Sequence, residues 1–172
     1  MVLRSVAFVV DRELFNGISK TEFAPDKTMT RAMLVTVLWR LDGKPVPGMI
    51  MHFRDTPEDE WYSYAVRWAY ENGIVNGTSE YTFSPDDYIS REQMAAILYR
   101  YSQFKGYNIT SLSDISSYDD AGSVSDYALV PMCWANANDL ITGIYTRLEP
   151  RGRATRAQVA TILSRFAEKF AD

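Results

Sequence analysis

The stretch Gly77-Thr78-Ser79-Glu80-Tyr81-Thr82-Phe83-Ser84-Pro85-Asp86-Asp87-Tyr88-Ile89-Ser90-Arg91-Glu92-Gln93-Met94 decides the fold, because its landmarks occur three times in the chain. Gly17, Phe23, Pro25, Asp26 and Thr30-Arg31 stand 60 residues earlier at the same mutual spacing. Gly143, Leu148, Pro150 and Thr155-Arg156 follow in the same order, with a loop one residue shorter and Arg151 in place of the aspartate. Self-similarity at a fixed period is the mark of a repeat architecture. After each Thr/Ser-Arg pair the apolar residues also superimpose: Leu34, Val37, Leu38 and Leu41; Met94, Ile97, Leu98 and Tyr101; Val159, Ile162, Leu163 and Phe166. The i, i+3, i+4, i+7 spacing puts one apolar stripe on each of three helices, and three stripes can meet in a bundle.

A second helix precedes each glycine, expected over Arg4 to Phe15, Trp61 to Asn72 and Ser125 to Asp139, with Phe8, Trp68 and Trp134 at one shared position. Copies two and three add a lead-in, Phe53-Arg54-Asp55 with Trp61 and Tyr118-Asp119-Asp120 with Tyr127, for which copy one starts too late. The predicted architecture is all-α: three helix-loop-helix repeats, 1–44 without its lead-in, 45–106 and 107–172, around a central three-helix core with pseudo-threefold symmetry. Units of roughly 60 residues are marginal alone and stable when stacked.

Each long helix opens with a capping signature. Ser90 with Gln93 and Thr155 with Gln158 fit a capping box, and Ile89 with Met94 and Met29 with Leu34 fit a hydrophobic staple. Met33 breaks the box in copy one, whose cap should be weaker. In the intervening loop Gly77 is expected to end the preceding helix, Phe83 to anchor the loop and Pro85-Asp86 to make a turn.

Arg31, Arg91 and Arg156 are the anomaly. The first turn of a helix carries the positive end of its dipole and unpaired N–H groups, so a cation is disfavoured there and an anion is welcome. A guanidinium beside free N–H groups suits a carboxylate, which it can hold through two parallel hydrogen bonds. Pairing with Asp26 or Asp86 inside the repeat is the alternative, but copy three keeps its arginine without that aspartate. The second in-register set, Arg40, Arg100 and Arg165, lies half a turn away near the helix C-terminus, where a cation is favourable for structural reasons alone.

Composition narrows the function. Net charge is −4 and the pI near 5.1, which argues against a nucleic-acid footprint. A lone cysteine, Cys133, forms no intramolecular disulfide and reads as a small core residue. One histidine, His52, leaves no multi-histidine metal or triad site, so neither metal nor cofactor is expected. No stretch approaches the ~20 apolar residues of a membrane span. Met1 to Val10 does not read as a secretory signal, so an export signal, if the protein has one, is expected to have been removed. The 11 tyrosines and 4 tryptophans could serve a carbohydrate surface, though core packing accounts for most such rings.

A glycine, then Phe-x-Pro, then Thr-Arg opening an amphipathic helix, three times over, resembles the S-layer homology domain of bacterial surface proteins. The resemblance implies a monomeric three-lobed pseudotrimer at the cell surface, attached non-covalently to the wall or S-layer of a mainly Gram-positive-type bacterium. The implied partner is a secondary cell-wall polysaccharide, recognised through a pyruvate ketal on a terminal N-acetylmannosamine. The family arginine corresponds to Arg31, Arg91 and Arg156, and the aromatic near the sugar to Trp61 and Tyr127. Gly17, Gly77 and Gly143 would let the backbone approach the ligand, and Asp55 and Asp120 match the lead-in acid, as ligand contacts or as helix caps. The fourth motif position, usually glutamate, is Met33, Gln93 and Gln158. With its lead-in missing, copy one leaves one groove incomplete, so one or two working sites are expected, with Arg91 and Arg156 favoured. Two rivals are a protein-interaction or self-assembling surface module and a glycosidase using Glu58, Asp59 or Asp119.

Overall fold

The computed structural model describes residues 2–15 and 23–170, with side chains from Arg4 onward. Gly17 lies outside the described residues. The described chain is all-α, with six α-helices and no strand: α1 (Val2–Asp11), α2 (Arg31–Leu41), α3 (Ser63–Glu71), α4 (Arg91–Lys105), α5 (Leu129–Ala137) and α6 (Arg156–Phe170). Two short 3-10 turns, Ala121–Ser123 and Asp126–Ala128, lead into α5.

The long helices α2, α4 and α6 start at the three arginines. Thr30 accepts a hydrogen bond from the Met33 amide and nothing returns it. At Ser90 the box is reciprocal, with the Gln93 amide donating to the serine hydroxyl and the Ser90 amide donating to Gln93 Oε1, both at 3.2 Å. Thr155 and Gln158 repeat it. The stripe residues are buried in one continuous cluster, Leu41 partly so. Tyr101 and Phe166 bring α4 and α6 together with ring centres 5.9 Å apart, and the Tyr101 hydroxyl donates to Asp42 at the end of α2.

The short helices are shorter than the sequence suggests. None runs to its glycine: each stops at a left-handed residue two places beyond its last turn, Glu13, Gly73 and Asp139. In copies two and three Asn72 and Asn138 reinforce the stop, each donating its side-chain amide at 2.8 Å to the tryptophan carbonyl four residues back. At the other end Trp61 and Tyr62 lie in successive turns before α3, and Tyr127 in a 3-10 turn before α5. Gly77 therefore belongs to the loop rather than to the helix end.

Packing crosses the repeat boundaries. Helix α3 packs on α2 of the preceding copy, α5 packs on α4, and α1 packs back on α6. Near the starts of the long helices the backbone closes a ring: the Met29 amide donates to Ala154, the Ala154 amide to Ile89, and the Ile89 amide to Met29, at 2.9–3.0 Å. Each copy donates once and accepts once.

The caps give a stability test. Ser90→Ala removes the hydroxyl that accepts from the Gln93 amide and should cost about 1 kcal/mol in urea unfolding. Met33→Gln, which supplies the polar partner missing in copy one, should stabilise by about 0.5 kcal/mol.

Candidate functional site

The loop before each long helix holds a residue that L-side chains adopt reluctantly. Ala24, Ser84 and Glu149, the middle residues of the Phe/Leu-x-Pro triplets, all have φ near +50° (50°, 56° and 51°). A left-handed non-glycine residue costs roughly 1–2 kcal/mol, so the surroundings must hold it. In copy two Asp55 does so with both oxygens, accepting the Phe83 amide at 2.8 Å and the Ser84 amide at 2.7 Å. In copy three Asp120 accepts Leu148 and Glu149 in the same way. Burial works against the Asp120 carboxylate, but these amides and nearby Arg147 outweigh it and hold its pKa below the ordinary range. The lead-in acids are thus loop clamps, neither helix caps nor free groups.

The arginines grip the same loops from the neighbouring copy. Arg31 Nε donates to the Phe83 carbonyl at 2.8 Å, Arg91 Nε to Leu148 at 2.8 Å and Arg156 Nε to Phe23 at 2.7 Å. The guanidiniums of Arg31 and Arg156 also lie over the rings of Phe83 and Phe23, at 4.8 and 4.7 Å. The helix-start amides are occupied as well. The Arg31 and Ala32 amides donate to Asp87 and Pro85, those of Arg91 and Glu92 to Gly152 and Pro150, and those of Arg156 and Ala157 to Lys27 and Pro25. The orphan N–H groups that made a helix-start anion site attractive are consumed by the neighbouring turn. For Arg31 and Arg91, hydrogen bonding goes to carbonyls rather than to Asp26 or Asp86.

The glycines are explained inside the chain too. A Cβ on Gly77, at φ +78°, would meet the Phe53 ring at 2.6 Å and the Thr82 carbonyl at 2.5 Å, and one on Gly143 would collide with the Tyr118 ring. The space each leaves is filled by the aromatic of its own lead-in.

Two cavities lie between copies at corresponding positions. The larger, about 390 Å³, is lined by Arg31 of copy one, Gly77, Gln93 and Arg100 of copy two, and Tyr127 of copy three. The smaller, about 230 Å³, has Arg91, Gly143, Gln158, Ile162 and Arg165, and no aromatic from a further copy lines it among the described residues. The two arginines also differ. Arg91 spends a second nitrogen, Nη2, on the Thr142 carbonyl at 2.9 Å. Arg31 lines the larger cavity and is only 5% exposed, and its terminal nitrogens have no hydrogen-bond partner among the described residues. Burial lowers the Arg31 pKa, Arg100 lowers it further, and Asp87, Tyr127 and Asp55 oppose them. A guanidinium stays protonated through such shifts.

Arg156 lines neither of these cavities, and the Gly17 side of its loop lies outside the described residues. Trp61 is exposed, packed edge-on against Tyr62 and outside both cavities. Glu58, Asp59 and Asp119 are exposed. Cys133 is half-buried on α5, with burial raising its thiol pKa.

The repeated loop, its arginine and its lead-in clamp match a known profile: the S-layer homology domain aligns with residues 1–32 and 52–95. The chain belongs to the S-layer homology family. It is 30% identical to an amylopullulanase of Thermoanaerobacterium thermosulfurigenes over 95% of this chain and 9% of that protein. An exoglucanase XynX of Acetivibrio thermocellus matches at 30% over 95% of this chain and 15% of its own length. A surface-layer 125 kDa protein of Lysinibacillus sphaericus matches at 30% over 95% and 14%. The chain therefore spans well under a fifth of these relatives. S-layer and cell-surface proteins among S-layer homology relatives support localisation at the cell surface and wall. None of the described helices is long and apolar enough to cross a membrane.

The arginine register led to the loops beside the two cavities but did not show Arg100 and Arg165 as cavity residues. On one helix they lie half a turn from Arg91 and Arg156; in a cavity they face the arginine of the preceding copy. Their equal spacing was the available signal. Glu92 was also missed, since nothing repeats it.

The clamp predicts a pH dependence. A depressed folded pKa contributes stability that is present above the unfolded value of about 4 and lost as pH falls through the folded value. Asp120→Asn should therefore cost about 2 kcal/mol at pH 7, with the wild-type and variant unfolding curves converging in strong acid.

Proposed function

We propose that this chain is a non-catalytic, monomeric cell-wall anchoring module that binds a secondary cell-wall polysaccharide through the carboxylate of a pyruvate ketal on a terminal amino sugar. The observation that carries the reading is the pair of guanidiniums in the larger cavity. Arg31 is buried and lines the cavity, with no hydrogen bond from its terminal nitrogens among the described residues, and Arg100, half-buried on α4, lines the same space together with Tyr127. Two desolvated cations in one concave site favour an anion, and the fork geometry of guanidinium favours a carboxylate. Tyr127 adds a ring that suits the apolar face of a sugar. Gln93 adds a neutral side chain able to meet hydroxyls.

The same comparison orders the candidate sites. The groove of Arg31, Gly77, Arg100 and Tyr127 is the complete one. The groove of Arg91 and Gly143 has its arginine tied to two carbonyls and serves as a weaker site. Trp61 occupies in the second copy the lead-in position that Tyr127 holds in the third. Asp55 and Asp120 act on the ligand only through the loops they clamp. Of the acids of the glycosidase reading, Glu58 and Asp59 sit on one exposed turn and Asp119 on another, and the family is an anchoring one.

Calorimetric titration of the chain with wall polysaccharide, before and after mild acid removal of pyruvate, tests the proposal. The intact polymer should bind and the depyruvylated polymer should lose at least about tenfold in affinity, the loss of a charge-assisted hydrogen-bonded pair. Arg100→Gln should produce a similar loss with intact polymer and leave the thermal midpoint within about 3 °C. Equal binding of both polymers defeats the carboxylate mechanism. Concentration-dependent self-association without glycan, unaffected by Arg100→Gln, would favour the assembly reading.

A further inference from the structure

Glu92 stands where the other two copies have alanine, Ala32 and Ala157. Its side chain is only 5% exposed and reaches the lead-in of copy three. Oε2 accepts the Ser125 amide at 2.9 Å, and Oε1 accepts the Ser125 hydroxyl at 2.8 Å and the Tyr127 hydroxyl at 3.4 Å. A buried carboxylate is costly unless donors fill its lone pairs, and here three donors converge on it. The first turn of α4 adds a favourable dipole for an acid.

The consequence falls on the larger cavity. Tyr127 directs its hydroxyl proton to Glu92, which does not line the cavity, so what it offers a ligand is the ring face and an accepting oxygen. Burial raises the phenol pKa, the Glu92 charge and hydrogen bond raise it further, and Arg31 and Arg100 oppose the rise. Tyr127 therefore stays a neutral donor at physiological pH. Without Glu92 the half-exposed ring would be held mainly by its own short 3-10 turn.

We infer that Glu92 is a positioning residue for glycan recognition, one that fixes the ring of Tyr127 against Arg31 and Arg100 by holding its hydroxyl and the Ser125 amide. The inference rests on the anchoring reading above and adds a residue found only in the second copy, which makes one groove of the triplicated scaffold unlike the others. The chemistry it favours is a pyranose whose carboxylate meets the arginines while its C–H face lies on the phenol ring.

The test has a ligand-free arm and a binding arm, both on the full chain. In hydrogen exchange, Glu92→Ala should speed exchange of the Ser125 amide by about tenfold, and Glu92→Gln, which still accepts hydrogen bonds, should stay within about threefold of wild type. In calorimetry with the methyl glycoside of pyruvate-ketal N-acetylmannosamine, Glu92→Ala should weaken binding by about tenfold and Glu92→Gln should recover most of it. In a Tyr127→Ala background, Glu92→Ala should change affinity by less than about twofold, because the acid acts through that ring. Unchanged Ser125 exchange, wild-type affinity in Glu92→Ala, or additive losses in the double variant would overturn the inference. Failure of the wild-type chain to bind the glycoside would overturn the anchoring reading itself, a result distinct from a wild type that binds and a Glu92→Ala variant that binds equally well.

Discussion

The hydrogen bond from an arginine Nε to the carbonyl of the next copy's loop is the contact on which the rest depends. It solves two problems at once. A helix start needs acceptors for its first amides, and a loop with a left-handed alanine, serine or glutamate needs its neighbours fixed. The loop supplies carbonyls to the amides, and the arginine returns a charged donor to the loop. Hydrogen bonds to charged groups are worth about 1.5–3 kcal/mol, enough to offset an unfavourable dipole of a few tenths. An arginine that looks misplaced on its own helix is well placed for the loop of its neighbour.

Because every grip passes from one copy to the next, the copies are coupled in a circle. The Met29–Ala154–Ile89 ring closes the same circle with its donors running the opposite way, and α1, α3 and α5 pack on α6, α2 and α4 around it. A single copy would present a long helix with no acceptors at its start and a short helix with no partner. Loss of one grip therefore acts on two copies, and cooperative unfolding of the whole is the natural consequence.

The helices, their caps and the repeat were legible because they depend on local spacing: stripe positions, Ser90 with Gln93, and the defective partner Met33. What could not be read were the pairings across copies. Spacing showed that Asp55 precedes Phe83 by a fixed distance, but not that its carboxylate would take two loop amides. It placed Gly77 near a helix end without revealing the Phe53 ring that forbids a side chain there. Arg100 was assigned to its own helix C-terminus because the sequence gives one helix at a time, whereas the cavity brings Arg31 from another copy to face it. The one-sided features, Glu92 and the second bond of Arg91, escape any method that looks for what repeats.

Those one-sided features are where triplication gives way to specialisation. In copies one and two a phenylalanine carbonyl is gripped and its ring lies at the gripping guanidinium. Copy three has Leu148, which offers a carbonyl but no π-face, and Arg91 takes the Thr142 carbonyl instead. Arg31, held by a ring and one carbonyl, has no hydrogen bond from its terminal nitrogens among the described residues. A guanidinium satisfied by two carbonyls has fewer donors left. A single change from aromatic to aliphatic at the gripped residue thus goes with an arginine that spends a second nitrogen on the protein's own backbone, and the groove with Phe83 keeps guanidinium donors that the groove with Leu148 has partly spent.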